Sequence, residues 1–152
     1  MADLTPSFIV EPAEDYPGWI SWTLQDTTRF NGQVLGRLIV RAEGEGRARV
    51  RMFPKHKHTN LTGNLHGGTI LSLIDVSMFA GARSFGIIEA GTAVTLDINT
   101  QFLGAGQAGI PLDSEVELLR ETGRLVFLRG LVVQEEARIA AWSGTIRKPT
   151  KR

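Results

Sequence analysis

The 152-residue chain contains no cysteine. Disulfides are thereby excluded, together with a cysteine nucleophile, a thiolate zinc site and an iron–sulfur cluster. An excess of one charge is lacking too. Seventeen Lys and Arg stand against 16 Asp and Glu, a formal net charge of +1, without the basic surplus that marks a dedicated nucleic-acid binder. No stretch approaches the ~18 apolar residues needed to cross a bilayer. The N-terminal Met1-Ala2-Asp3-Leu4-Thr5-Pro6 has neither the basic nor the apolar region of a signal peptide. Repeats, low-complexity tracts and linkers are absent as well. The expectation is a single cytoplasmic domain over residues 1–152 with no nucleic-acid or membrane partner. Its 42% hydrophobic residues are enough to build a core.

What is present reads as one helix among strands. Residues 1–14 carry Pro6 and Pro12 and are expected to form an irregular arm. Trp19, Trp22, Leu24 and Phe30 suggest a short helix between Tyr16 and Phe30, completing an N-terminal region of residues 1–33. Residues 34–43 and 47–53 are apolar-rich. In the second, Arg47, Arg49 and Arg51 alternate with Ala48, Val50 and Met52, the period of a half-exposed strand. Gly44-Glu45-Gly46 between them suits a hairpin turn. Residues 69–85 are apolar almost all round and predict a buried helix that stops at Gly86. Four strand-like runs follow, at 93–103, 113–122, 125–134 and 138–147, with Thr122-Gly123 and Glu136-Ala137 as hairpin connections. Two strands, a buried helix and an antiparallel meander imply an α+β fold, a curved antiparallel sheet wrapped round one central helix.

The chemistry is expected where the chain enters that helix, at His58-Thr59-Asn60-Leu61-Thr62-Gly63-Asn64-Leu65-His66-Gly67-Gly68. A helix N-terminus offers unpaired N–H groups and partial positive charge to a developing oxyanion, and glycines let a carbonyl approach closely. Asp75 sits in the helix amid Leu71, Leu73, Ile74 and Met78. A carboxylate in such company is costly unless it is paired, hydrogen-bonded or functional. Taken singly, the glycine pair reads as a turn and Asp75 as a structural carboxylate; their conjunction points to a site.

The pattern His-x-Asn-x-x-Gly-x-x-His-Gly-Gly, followed by an apolar helix bearing Asp75, resembles the PaaI-like (phenylacetate-degradation-type) hotdog thioesterases. The resemblance runs on through Ala93–Leu103 and the strands to Arg147. It implies a hotdog fold and hydrolysis of acyl- or aryl-coenzyme A. Asp75 would be the general base or nucleophile, and the Gly67 N–H would polarise the thioester carbonyl. Asn60 and His66 would flank the substrate, and Thr95 would position water beside the carboxylate. Coenzyme A is then part of the substrate, and no separate cofactor is expected. This chain has Gly104-Ala105 where the family shows Arg-Pro, so the residues that contact the coenzyme A phosphates stay unassigned. Strict alternation also groups Thr95 with Asp97, Asn99 and Gln101, opposite Val94, Leu96 and Ile98. If the apolar set faces the helix, Thr95 reaches Asp75 only through a bulge or from a partner subunit.

Other signals carry less. Gly104–Gly109 matches GxGxxG, but Pro111 and a strand-like run follow where a dinucleotide site needs a helix. His56, His58 and His66 lack a neighbouring carboxylate at helical spacing, and no metal is expected. No GxSxG elbow occurs. Two functions compete with hydrolysis: a hotdog dehydratase or hydratase using His66 and Asp75, and a non-catalytic acyl-CoA binding module. Assembly follows from geometry. Eight residues separate Gly67 from Asp75, ~12 Å along a helix at ~1.5 Å per residue, too far for both to act on one carbonyl. Gly67 of one subunit must therefore meet Asp75 of another. A homodimer is the minimal active unit, and the resemblance implies a dimer of dimers, a homotetramer.

Overall fold

The computed structural model describes residues 8–89 and 93–150. Strands β1 (Phe8–Ile9), β2 (Ile20–Ser21) and β3 (Thr23–Leu24) precede a single π-helical turn at Asn31–Leu35. Then come β4 (Leu38–Ala42), β5 (Arg47–Met52), a 3-10 turn at His56–His58, and helix α1 (Gly67–Ser84). Strands β6 (Val94–Phe102), β7 (Leu112–Glu121), β8 (Leu125–Gln134) and β9 (Ala137–Arg147) complete the order.

Seven strands form one antiparallel sheet in the order β2-β4-β5-β7-β8-β9-β6, and β1 pairs separately with β3. Helix α1 lies across this sheet, touching β4 through β9. Its buried residues, among them Leu73, Ile74, Met78 and Ala82, meet Val50, Met52, Leu112, Leu128 and Ile146 from the strands in one core. This is the expected α+β hotdog arrangement of one helix against an antiparallel sheet. The simple meander is not observed. Strands β7, β8 and β9 follow one another, but β6 crosses over to pair with β9 at the sheet's edge.

The hairpin between β4 and β5 turns as expected. Glu43 N–H donates to the Arg47 carbonyl at 2.9 Å, and Gly44 and Gly46 take φ of 116° and 64°. The alternation of β5 is also real: Ala48, Val50 and Met52 are buried, while Arg49 and Arg51 point to the other face and both bond the carboxylate of Asp113. The β8–β9 turn is Glu135-Glu136 rather than Glu136-Ala137, because Ala137 already pairs with Gln134. Glu135 takes the positive φ of 53° that the turn demands.

The short helix expected between Tyr16 and Phe30 is not formed. The segment is extended at β2 and β3 and otherwise turns. Trp19 packs with Ala13 and Ile39 in a small cluster, whereas Trp22 joins the main core. Residues three apart share a helix face but lie on opposite faces of an extended chain. Two separate hydrophobic layers therefore claim the two indoles, and the extended form wins. Part of the expected irregular arm is also ordered: Phe8–Ile9 pair with Thr23–Leu24, and Pro12 bridges to Ile20.

Gly130 marks where the sheet is most tightly closed. A Cβ there would lie 1.7 Å from the Glu115 carbonyl oxygen and 2.8 Å from Nε1 of Trp142. Because the first obstacle is backbone, Gly130→Ala should lower stability by at least ~2 kcal/mol, read from the urea midpoint. Gly123→Ala is the matched control, since its Cβ would meet nothing within 4 Å; it should stay within ~0.5 kcal/mol of the parent. Equal midpoints for the two variants would contradict this packing.

Candidate active site

Two turns hold the approach to α1. His58 is buried, and both of its ring nitrogens are engaged: Nδ1 accepts from Lys55 N–H at 2.8 Å, and Nε2 meets the Val34 carbonyl at 2.5 Å. Its own carbonyl accepts from His66 N–H and from the Thr69 hydroxyl. His58 thus ties the loop to the start of the helix. No cluster of three or more His, Cys, Asp or Glu suited to a metal occurs among the described residues.

Asn60 organises the next turn. Its Oδ1 accepts from Thr62 N–H at 3.0 Å, the Thr62 hydroxyl at 2.8 Å and Asn64 N–H at 3.1 Å. The side-chain amide remains exposed, with no hydrogen-bond partner among the described residues. Gly63, at φ 83°, lets the loop close back on Asn60.

His66 is the N-cap of α1, its Nδ1 accepting from Gly68 N–H at 2.8 Å. With that lone pair engaged, the neutral ring carries its proton on Nε2, which faces outward as a donor. Gly67 opens the helix. Its N–H has no partner among the described residues, as the first amides of any helix must look outside the helix for theirs. The ring of Phe102 on β6 lies 3.5 Å from where a Gly67 Cβ would be. Asn60, His66 and Gly67 are therefore neighbours around one helix end, and Asn60 and His66 line a shallow groove with His56, Lys57 and Thr62.

Asp75 lies two turns further on, half-buried. It opens into a cleft of about 200 Å³ lined by Phe8, Trp22, Asn31, Phe79 and Ile88. Its Oδ1 accepts from the Thr95 hydroxyl at 2.6 Å. The condition set by alternation is met by a bulge: the β6–β9 register shifts between Thr95 and Asp97. The extra residue, Leu96, lets Thr95 and Ile98 both face the helix side, and leaves Val94, Leu96 and Asp97 exposed. One donated bond fixes Oδ1, and Oδ2 has no hydrogen-bond partner among the described residues.

The chain thus brings together Asp75 with Thr95, and Asn60 with His66 and Gly67, but it does not bring the two groups into one cleft. From the sequence, Trp19 and Trp22 read first as core and second as the mouth of a pocket; Trp22 is both, buried in the core and part of the lining of the Asp75 cleft. Sequence reasoning assigns no role to Phe8 or Phe79 there. Phe79 was recoverable in principle, since it stands one turn beyond Asp75 on the same helix face.

The sequence model of the thioesterase superfamily matches residues 62–141, from the Asn60 turn through α1 into β9. The chain belongs to the thioesterase superfamily.

Solved structures place this thioesterase superfamily chain further. A mutant of the phenylacetic acid degradation protein PaaI from Thermus thermophilus is 28% identical, with a TM-score of 0.62. The match covers 73% of this chain and 92% of that one. PaaI of E. coli, 22% identical, shares the fold with a TM-score of 0.66 over 78% of this chain and 83% of its own. A hypothetical thioesterase from Streptococcus pneumoniae, solved with coenzyme A, is 20% identical; its TM-score is 0.64 over 72% and 86% of the two chains. The expected kinship with PaaI-type hotdog thioesterases is borne out. No curated protein sequence matches this superfamily member.

Proposed function

We propose that this protein hydrolyses acyl- or aryl-coenzyme A thioesters to the free acid and coenzyme A, with Asp75 as the catalytic carboxylate. The observation that carries the reading is a half-buried carboxylate, fixed through one oxygen by Thr95, facing an aromatic cleft. Superfamily membership supports the reaction class, and the coenzyme A in the Streptococcus pneumoniae structure supports the carrier.

Oδ2 of Asp75 either takes a proton from water as that water attacks the thioester carbon, or attacks the carbon itself. In either, the carbonyl oxygen gains negative charge, and the unpaired Gly67 N–H at the positive end of α1 is the donor for it. The carbon–sulfur bond then breaks and coenzyme A departs as the thiol, its sulfur taking the proton Asp75 drew from water or, on the nucleophilic route, one from solvent. On that second route a water then hydrolyses the acyl–Asp75 anhydride to the free acid and restores the carboxylate. His66 Nε2–H and the Asn60 amide stand beside Gly67 and orient the thioester or the water. Thr95 keeps the carboxylate in register with the cleft.

The site is composite, Gly67 from one subunit and Asp75 from another. Strand β6 supports this arrangement. Among the described residues it is the longer of the sheet's two edge strands, and it carries exposed Val94, Leu96 and Phe102, an edge that a second copy of the chain would cover. Pairing of such dimers into a tetramer follows the family resemblance. No helix of the described residues is long and apolar enough to cross a membrane, and the working location is the cytoplasm.

Thiol release from a panel of acyl-CoAs tests the reading. Stoichiometric free thiol with each acid formed is expected, at a rate unaffected by EDTA. A bound but unchanged thioester would mean a binding module. Addition or loss of water on the acyl chain would mean a dehydratase or hydratase. Activity lost to EDTA and restored by zinc would bring back the metal site at His56, His58 and His66.

A further inference from the structure

One charged side chain beside the Asp75 cleft has no part in the chemistry above. Arg83 lies in the last turn of α1, and its Nη1 is buried without a hydrogen-bond partner among the described residues. None of the ion pairs among those residues includes it. A guanidinium nitrogen out of water and without an acceptor is costly. What compensates it is aromatic. Cζ stands 5.2 Å from the Trp22 ring centroid and 5.9 Å from that of Phe8, and those two rings are 4.6 Å apart.

Both rings also line the cleft that opens on Asp75. Asp75, Phe79 and Arg83 follow one another at steps of four residues and so form one stripe on α1. Phe79 lines the cleft too. The α-carbons at the two ends of the stripe are ~12 Å apart along the axis. A helical arginine leans back towards the helix N-terminus, which carries its head towards Asp75. An acyl group whose thioester sits at Asp75 would run past Phe79 to Trp22 and Phe8, the two rings of the lining against which the half-buried Arg83 guanidinium is stacked.

We infer that the acyl group this protein takes ends in a carboxylate, an ω-carboxyacyl-CoA in which Arg83 is the specificity-determining residue. The inference rests on the Asp75 cleft being the acyl site. A terminal carboxylate supplies the acceptor that Nη1 lacks and neutralises the charge in a charge-assisted bond. The methylenes between the two ends fill the apolar, ring-lined stretch. An acyl chain of the same length ending in methyl brings only a hydrocarbon tip to a half-buried cation and leaves Nη1 unpaired. Arg83 also has two structural roles, complementing the C-terminal end of the helix dipole and stacking on the rings. Neither depends on how the acyl chain ends, which is what the test reads.

The experiment compares kcat/KM for adipyl-CoA with hexanoyl-CoA, and suberyl-CoA with octanoyl-CoA, each pair matched in chain length. The native protein should favour the carboxylated member of a pair by at least ~10-fold, mainly through KM. Arg83→Gln should abolish the preference, and Arg83→Lys, which keeps the charge but loses the planar fork, should retain part of it. Calorimetric binding of the same thioesters to Asp75→Asn should show the same order without turnover. Equal kcat/KM within each pair, while acyl-CoAs are still hydrolysed, would overturn the role of Arg83 and leave the thioesterase reading standing. A preference that survives Arg83→Gln would overturn it equally. No hydrolysis and no binding of any acyl-CoA would fell the reading of the cleft, and this inference with it.

Discussion

Asp75→Asn should lower kcat for acyl-CoA hydrolysis at least ~10²-fold while the protein folds normally, as expected on losing a positioned base or nucleophile. The substitution is close to isosteric, so the half-buried site suffers no cavity and no overpacking. The surrounding bonds survive too, because the amide oxygen still accepts from the Thr95 hydroxyl, which now sits 2.6 Å from Oδ1. What disappears is the negative charge of the carboxylate. Substrate affinity should change far less than turnover, since Phe8, Trp22 and Phe79 are untouched. Circular dichroism and the thermal transition serve as the folding check. Near-normal hydrolysis by a folded Asp75→Asn protein would remove the carboxylate from the mechanism.

Much of this site was legible because its elements are local. The helix start at Gly67-Gly68 is chain chemistry, a glycine pair running straight into an apolar segment, whereas His66 as the cap was not legible because His is not among the usual N-cap residues. Asp75 was conspicuous because no neighbour in its own segment can pair it. The partner, Thr95, comes from 20 residues away and depends on a bulge at Leu96. A bulge breaks the period-2 rule from which strand faces are inferred, so the sequence pattern alone set Thr95 on the other side of the sheet. Trp19 and Trp22 failed for a related reason. Their spacing of three suits a helix as well as an extended chain that serves two cores, and only the packed sheet chooses between them. The place of β6 was hidden as well, since its pairing with β9 reaches across two intervening strands. Arg83 carried no signal of its own in the sequence, since its stacking on Trp22 and Phe8 depends on the fold of the N-terminal segment.

The central claim is that the oxyanion donor and the carboxylate come from different chains, and mixed dimers of Asp75→Asn and Gly67→Pro test it most directly. Proline suits the substitution. It is favoured at the first helical position, where the lost N–H has no helical partner. His66 before it already holds the extended φ of −65° and ψ of 138° that a following proline requires. A Cβ at Gly67 meets Phe102 at an ordinary 3.5 Å contact. The proline variant should therefore fold and lose one donor, with kcat falling roughly 10²- to 10³-fold as for other oxyanion-hole deletions. Each parent homodimer is then nearly inactive. In a mixed dimer with two-fold symmetry, one site keeps both native groups and the other loses both, so purified heterodimers should recover about half the native rate per dimer. Heterodimers verified by two distinct tags, folded by circular dichroism, and still as inactive as their parents would place Gly67 and Asp75 in one chain's site and contradict this account.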